Sequence, residues 1–299
     1  MFIFISFLLL ISAFISNNYI TISRHTLTSQ KLKKTSSLSI IHISDLHNKN
    51  FGHRQSYLIK KIRLLKPDLI AVSGDLIDNS AYKNALTFIQ KASEICPIYY
   101  VRGNHESLAG NFANLKKELL KYHVTILKNE TAAFTKDNIT YHITGLDDPI
   151  FRGHNKKYKS YANHELNKLL KTGTAQNLFA KKLSVRKIRH MPDKAYAKKA
   201  SKSHDIYQVL LSHRPELFHI YSSYPFDLVL CGHAHGGQIR PPFTDGLYAP
   251  NQGIFPRYTS GSHTKNGTTE IISRGLGNSG CPLRLLNYPE IVHIVIKPN

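Results

Sequence analysis

The chain has 299 residues, 41% hydrophobic and 20% charged, with 40 Lys or Arg against 19 Asp or Glu and a formal net charge of +21. This composition can bury one large core or two modest ones and excludes an intrinsically disordered chain; the cationic surplus does not bear on fold but predicts anionic partners such as nucleic acid, anionic lipid or phosphorylated metabolites. Three widely spaced cysteines, Cys96, Cys231 and Cys281, exclude a disulfide framework and a CxxC zinc site, and read as small core residues.

The chain opens on "MFIFISFLLLISAFIS", uncharged and apolar on every side, so residues 1–20 read as a retained single-pass membrane anchor, not as an amphipathic helix. A cleaved signal peptide would carry a positive n-region, which is absent. Arg24, Lys31, Lys33 and Lys34 follow the apolar run, so residues 21–37 read as a basic, polar linker. The positive-inside tendency then puts the main body on the cytoplasmic face.

Beyond residue 38, short β-branched runs alternate with segments of helical spacing. "LSIIHIS", "DLIAVSGD", "PIYYVRGN", "IYQVLLSH" and "DLVLCGH" read as strands, and "QSYLIKKIRLLK", "NALTFIQKASEI", "NFANLKKELLKY" and "PELFHIYSSY" as helices. A hairpin-like "TAAFTKDNITYHITG" and the closing "TEIISRG" and "EIVHIVIK" add antiparallel material. The expected fold is α/β: two mixed sheets packed face to face with flanking helices, a four-layer α/β/β/α sandwich over residues 38–299.

Each strand of the alternating series stops at metal-ligating residue types. Asp45 and His47 follow the first, Asp75 and Asp78 the second, Asn104 and His105 the third, His213 the fourth, and His233 and His235 the fifth. Strand carboxyl ends are where α/β sheets form ligand crevices, so these scattered residues can converge there. Singly, each motif is an ordinary polar strand end, helix cap or turn; their recurrence at every strand end is what argues for a site. Asp, His and Asn without cysteine suit manganese, iron or zinc, and the donors are too many for one ion with an open position. They fit two divalent ions about 3.5–4 Å apart, the arrangement that clamps attacking and leaving oxygens in phosphoryl displacement. Within Asp45-x-His47 and His233-x-His235 the period of two keeps both side chains on one side.

The motifs "ISDLH", "SGDLID", "RGNHE", "LLSHRPE" and "GHAHGGQ" together resemble the calcineurin-like metallophosphoesterase superfamily. "GLDDP", "GGQIRPP" and "SRGLGNSGCPLRLLNYPEI", behind an apolar N-terminus, resemble its bacterial membrane-associated branch, which includes phosphodiesterases and hydrolases of UDP-2,3-diacylglucosamine. The resemblance implies one ion held by Asp45, His47, Asp75 and His235 and another by Asp75, Asn104, His213 and His233, with Asp75 bridging. It also implies His105 as donor of a proton or hydrogen bond to the leaving oxygen, and Asp78 and Glu106 as supports behind the ligands. Arg274 and Asn278 are candidates for substrate contact or for loop stabilisation alone. Two divalent ions are expected, manganese foremost, with iron or zinc as the other candidates. The implied reaction is phosphoester or phosphodiester hydrolysis by in-line attack of water activated between them.

Residues 151–205 carry fifteen Lys or Arg against three Asp or Glu, a net of +12 within the chain's +21. This basic insertion could lie over the centre and contact anionic headgroups, or track a nucleic-acid backbone. The expected substrate is an anionic phosphoester, lipid-linked, at a membrane surface; no protein partner is inferable. A nuclease or cyclic-nucleotide phosphodiesterase is the alternative, disfavoured by the lack of an aromatic platform for single strands, and a non-catalytic metal-bound scaffold is disfavoured by the full ligand set.

Overall fold

The computed structural model describes residues 11–78, 81–152, 157–171, 206–278, 280 and 283–299. The basic insertion falls mostly outside the described residues, as do residues 1–10 of the apolar N-terminus and Cys281. Residues 11–18 form a helix, α1; among the described residues no helix is long and apolar enough to cross a membrane.

Two six-stranded sheets carry the fold. The first, in the order β1-β14-β2-β3-β4-β5, joins β1 (Thr21–Ser29), β14 (Glu290–Pro298), β2 (Leu38–Ile43), β3 (Leu69–Val72), β4 (Ile98–Tyr100) and β5 (Thr125–Ile126). The second, β12-β13-β9-β8-β7-β6, joins β12 (Gly261–Lys265), β13 (Thr268–Ile272), β9 (Leu228–Cys231), β8 (Tyr207–Ser212), β7 (Ile139–Leu146) and β6 (Glu130–Lys136). Each is mixed: β2 to β5 run parallel while β14 opposes β2, and β13, β9, β8 and β7 run parallel while β12 and β6 oppose their neighbours.

The apolar residues sort into three clusters, which define the layers. Leu38, Ile40 and Val292 from the first sheet meet Tyr141, Val209 and Leu230 from the second in the central core. On the outer face of the first sheet, Ile41, Ile43 and Val72 pack against α2 (Ser56–Leu64), α3 (Lys83–Ser93) and α5 (Phe112–Lys121), the last preceded by the short α4 (Asn104–Leu108). On the outer face of the second, Leu210 and Val229 pack against α6 (Tyr158–Lys171) and α7 (Phe218–Tyr221). Because alternate strand residues face opposite sides, strands covered on both faces must be apolar throughout, which is why β3, β8 and β9 read as unbroken buried runs.

The stretch 21–37, read as a linker, contains β1 instead. Thr21–Ser29 pairs in parallel with Glu290–Pro298 along its whole length, and Ile20 just before it is fully buried. The physical reason is that β1 is a sheet edge: charged residues such as Arg24 are tolerated there and give the segment a polar look while discouraging further pairing. Lys31, counted as a topological signal, bonds both carboxylate oxygens of Asp227 at 2.7 Å. "PELFHIYSSY" is shorter than expected as a helix, being one 3-10 turn, Pro215–Leu217, followed by α7.

Candidate metal centre

The carboxyl ends of β2, β3, β4, β8 and β9 lie together at one rim, and the loops leaving them are stitched side by side. Asp45 N–H donates to the Gly74 carbonyl and His47 N–H to the Asp75 carbonyl, each at 3.0 Å; Gly232 N–H donates to the His213 carbonyl at 3.2 Å. Asp45, His47, Asp75, His233 and His235 all hold positive φ, a conformation uncommon for non-glycine residues and concentrated where backbone strain is retained for function. The left-handed turns end β2, β3 and β9 abruptly, so their donors sit over the rim.

Two buried triads result. Asp45, His47 and His235 present ligand atoms within 4.8 Å of one another, and so do Asp75, His213 and His233. They adjoin at Asp75, whose Oδ2 is 3.1 Å from His213 Nε2 and 3.8 Å from His47 Nε2. His47 Nε2 and His235 Nε2 are 3.3 Å apart, and His213 Nε2 and His233 Nδ1 3.1 Å apart. The Asn104 Oδ1 is buried, with no hydrogen-bond partner among the described residues.

The electrostatics of these residues call for cations. Burial acts against charge on His213, but the carboxylates of Asp75 and Asp45 prevail and raise its imidazole to about 10. Burial also acts to raise Asp75, yet the His213 imidazolium holds it well below the usual carboxylate range. Burial, with the neighbouring positive charge of His213 and His47 respectively, pushes His233 and His235 well below the usual imidazole range, so both keep a ring lone pair. Carboxylates leaning on histidine protons, neutral imidazoles and an unpartnered amide oxygen fit a divalent-metal site of hard and borderline donors.

Supporting groups fix the donors. His213 Nδ1–H donates to the Ser73 carbonyl at 2.8 Å, which turns Nε2 to the centre. The Glu106 carboxylate accepts from the N–H groups of Asp75, Leu76 and Gly103, at 3.0, 2.6 and 2.8 Å, tying the β3 and β4 turns together. Asp78 Oδ1 lies 2.8 Å from His105 Nδ1 and 3.4 Å from His47 Nδ1, linking a donor to the histidine beside it. The Arg274 guanidinium is engaged by Glu290 at 3.1 Å and Thr21 at 2.9 Å, and Asn278 by Asn17 and Arg284. These contacts brace both side chains against β1, α1 and the 283–290 segment.

Several residues at the centre were not legible beforehand. The fully buried Arg284 places Nη2 3.3 Å from His235 Nδ1, Asn251 Nδ2 meets His233 Nε2 at 3.1 Å, and Asn287 donates to the His235 carbonyl at 2.7 Å. The two aspartates of "GLDDP" are buried ion-pair partners. Asp147 pairs with Arg102, two residues before Asn104, and Asp148 with Arg214, directly after His213. Arg102 also stacks over Phe151 at 3.5 Å, and Arg214 over Tyr158 at 4.1 Å. Arg102, Asp147, Asp148, Arg214, Arg284 and Asn287 lie inside the quoted motifs, whereas Asn251 lies outside them.

Close approach requires glycine beside the Asp45 carboxylate. A Cβ at Gly232 would overlap the Asp45 carboxylate and the Ser44 side chain. Gly232→Ala is therefore expected to weaken binding of one of two divalent ions by about 10–100-fold, as loss of a ligand's support does. Isothermal titration with manganese checks this; two unchanged binding steps would refute it.

A family model described as calcineurin-like phosphoesterase matches residues 38–237. Among similar proteins, an uncharacterized metallophosphoesterase of Aquifex aeolicus is 27% identical over 98% of this chain and 98% of its own. The uncharacterized metallophosphoesterase YkuE of Bacillus subtilis is 25% identical over 95% of this chain and 88% of its own. The phosphodiesterase YaeI of Escherichia coli is 26% identical over 90% and 85%. Among solved structures, a dimetal phosphatase from Danio rerio aligns over 80% of this chain and 88% of its own, with TM-score 0.40 and 14% identity. With a divalent-metal donor set at its strand ends and the family model spanning both triads, the chain belongs to the calcineurin-like phosphoesterase family and is a hydrolase of phosphoester bonds.

Proposed function

We propose that the protein is a dinuclear phosphodiesterase acting on a lipid or nucleotide-linked lipid at the cytoplasmic face of a membrane, with manganese as the preferred metal. The observation that carries the two-ion reading is the adjacency of the two buried triads at Asp75. Asp45, His47, Asp75 and His235 would hold one ion, and Asp75, Asn104, His213 and His233 the other. When bound, such a pair supplies an activated water and neutralises charge developing on the phosphoryl oxygens.

The protein's own residues orient and protonate. His105 is 18% exposed at its side chain, unlike the fully enclosed His213, so it can reach a bound substrate. Asp78 Oδ1, 2.8 Å from Nδ1 of His105, orients the ring, and His105 would serve as hydrogen-bond or proton donor to the departing oxygen. Glu106 keeps the Asp75 and Gly103 turns from spreading as charge shifts during reaction.

Lipid preference is supported by the apolar N-terminal run and by the cationic surplus, +12 of it in residues 151–205. The test is a substrate panel for the manganese-loaded protein: phospholipids, UDP-diacylglucosamine, cyclic nucleotides, oligonucleotides and bis(p-nitrophenyl) phosphate. The expected result is hydrolysis of the generic diester and of at least one lipid substrate, abolished by chelation and restored by manganese. Cleavage of oligonucleotides or cyclic nucleotides without lipids would replace the lipid reading with the nucleotide one.

A further inference from the structure

An apolar rim stands beside the metal centre, on the segments that support it. The chain leaving His235 makes a small ribbon, β10 (Tyr248–Ala249) with β11 (Gly253–Ile254), and between these strands Asn251 reaches back to His233. Around this ribbon Phe243 is fully exposed at 108%, Ile254 at 70% and Phe255 at 67%, while Leu247 and Tyr248 are also exposed. Phe243 and Phe255 hold φ of 68° and 51°, a conformation a bulky residue rarely adopts, so the fold bears a strain to keep these rings in place.

The rim continues through the backbone. Arg240 N–H donates to the Leu285 carbonyl at 3.1 Å, and Leu286 N–H donates to Ser16 Oγ in α1 at 3.1 Å. Leu283 and Leu286 are exposed, and so are Ile11, Phe14 and Ile15 on α1. In sequence, residues 1–10, "MFIFISFLLL", are apolar but for one serine. The chain leading into the ribbon, the 283–286 segment and α1 are thus joined in series by hydrogen bonds, and ribbon, segment and helix each carry exposed aliphatic or aromatic side chains.

The edge of this surface has an aromatic and cationic character. Tyr19, exposed at the end of α1, lies under Lys61 Nζ at 5.6 Å, and Arg257, two residues after Phe255, lies over Tyr258 at 5.4 Å. Apolar chains bordered by Tyr and cations match the layering of a bilayer interface, in which acyl chains lie beneath anionic headgroups. Exposed apolar patches of this extent mark interaction surfaces, and stable membrane attachment takes a second element besides a single apolar tail.

We propose that this rim, formed by residues 243–255, 283–286 and α1, is a membrane-seating surface that rests on a phospholipid bilayer and brings the metal centre to headgroup level. The inference rests on the lipid-phosphoester reading above and adds how the substrate is reached: the phosphoester enters from the bilayer surface, with its acyl chains remaining against the rim. The N-terminal segment tethers, and the ribbon orients.

The chain contains no tryptophan, so a single one reports its own surroundings. Phe243→Trp and Phe255→Trp, each made in the full chain, are mixed with vesicles of phosphatidylglycerol and phosphatidylcholine with or without brominated acyl chains. Leu120→Trp, on α5 and exposed, is the reference. The expected result is a blue-shifted emission on adding vesicles and loss of most of the signal to brominated chains for the two rim variants, with neither change for the reference. In parallel, Phe243→Ser with Phe255→Ser is expected to lower hydrolysis of a vesicle-borne substrate at least tenfold and to leave bis(p-nitrophenyl) phosphate hydrolysis unchanged. Rim tryptophans that stay in water with vesicles present would overturn the seating surface while leaving lipid hydrolysis to stand on the substrate panel. Rim tryptophans already blue-shifted without vesicles would overturn it also, showing the surface covered by a second copy or by the chain's own N-terminus. Inserted tryptophans with no lipid substrate cleaved would uphold the seating and overturn the lipid-phosphoester reading.

Discussion

Asp75→Asn is expected to reduce hydrolysis of every substrate by about 10³-fold or more, the scale for removing a group that stabilises transition-state charge directly. Asp75 is where the triads join: Oδ2 faces His213 and His47, and Oδ1 accepts the His105 N–H at 2.9 Å. Asparagine has the same shape and an amide oxygen able to keep the contact with His105, but it lacks the charge that, in the proposed two-ion reading, would let one side chain hold both cations. The folded state should persist by circular dichroism while bound manganese, measured by atomic emission, falls from two ions per chain towards one. A variant with two tightly bound ions and full activity would show that Asp75 does not bridge.

Asp148→Ala is expected to be the most destabilising single change near the centre, costing about 3–5 kcal/mol of unfolding free energy by urea denaturation, the range for breaking a buried ion pair from one side. Arg214, 3% exposed, would be left without the carboxylate that meets its Nε at 2.7 Å and its Nη2 at 3.1 Å. Against a typical total of about 5–15 kcal/mol this is a large fraction. The pair also anchors the residue following His213, so metal affinity should fall together with stability. Replacing both partners, Asp148→Leu with Arg214→Met, should recover part of the stability, because the guanidinium is no longer left without its main carboxylate; the remainder stays lost because Glu216, 3.6 Å from Arg214, loses its cation. If the single variant unfolds at the wild-type midpoint with an unchanged slope, the pair has no structural weight.

The donor residues were legible because chemistry and periodicity coincide locally. Asp45 and His47, or His233 and His235, are close in the chain, and the apolar runs before them identify buried strands without any knowledge of neighbours. Asp78 and Glu106 were expected behind the donors, but what the supporting groups bond to was not legible. Glu106 bonds to turns about thirty residues earlier, and Asp147 and Asp148 reach Arg102 and Arg214 across gaps of 45 and 66 residues. No local pattern encodes such pairings. An aspartate before a proline reads the same whether it caps a turn or neutralises a buried guanidinium.

The sequence by itself determined the alternation of strands and helices, the apolar character of strands covered on both faces, and the residue types at each strand end. Only the tertiary structure decided that 21–37 holds an edge strand, that the donors divide into two abutting triads, and that Arg284, Asn251 and Asn287 stand behind the histidines. The physical reason is one of range. Side-chain periodicity reports which face of an element is buried, whereas the partner it is buried against depends on how distant strands are ordered in the sheets, and that order sets every long-range hydrogen bond and ion pair at the centre.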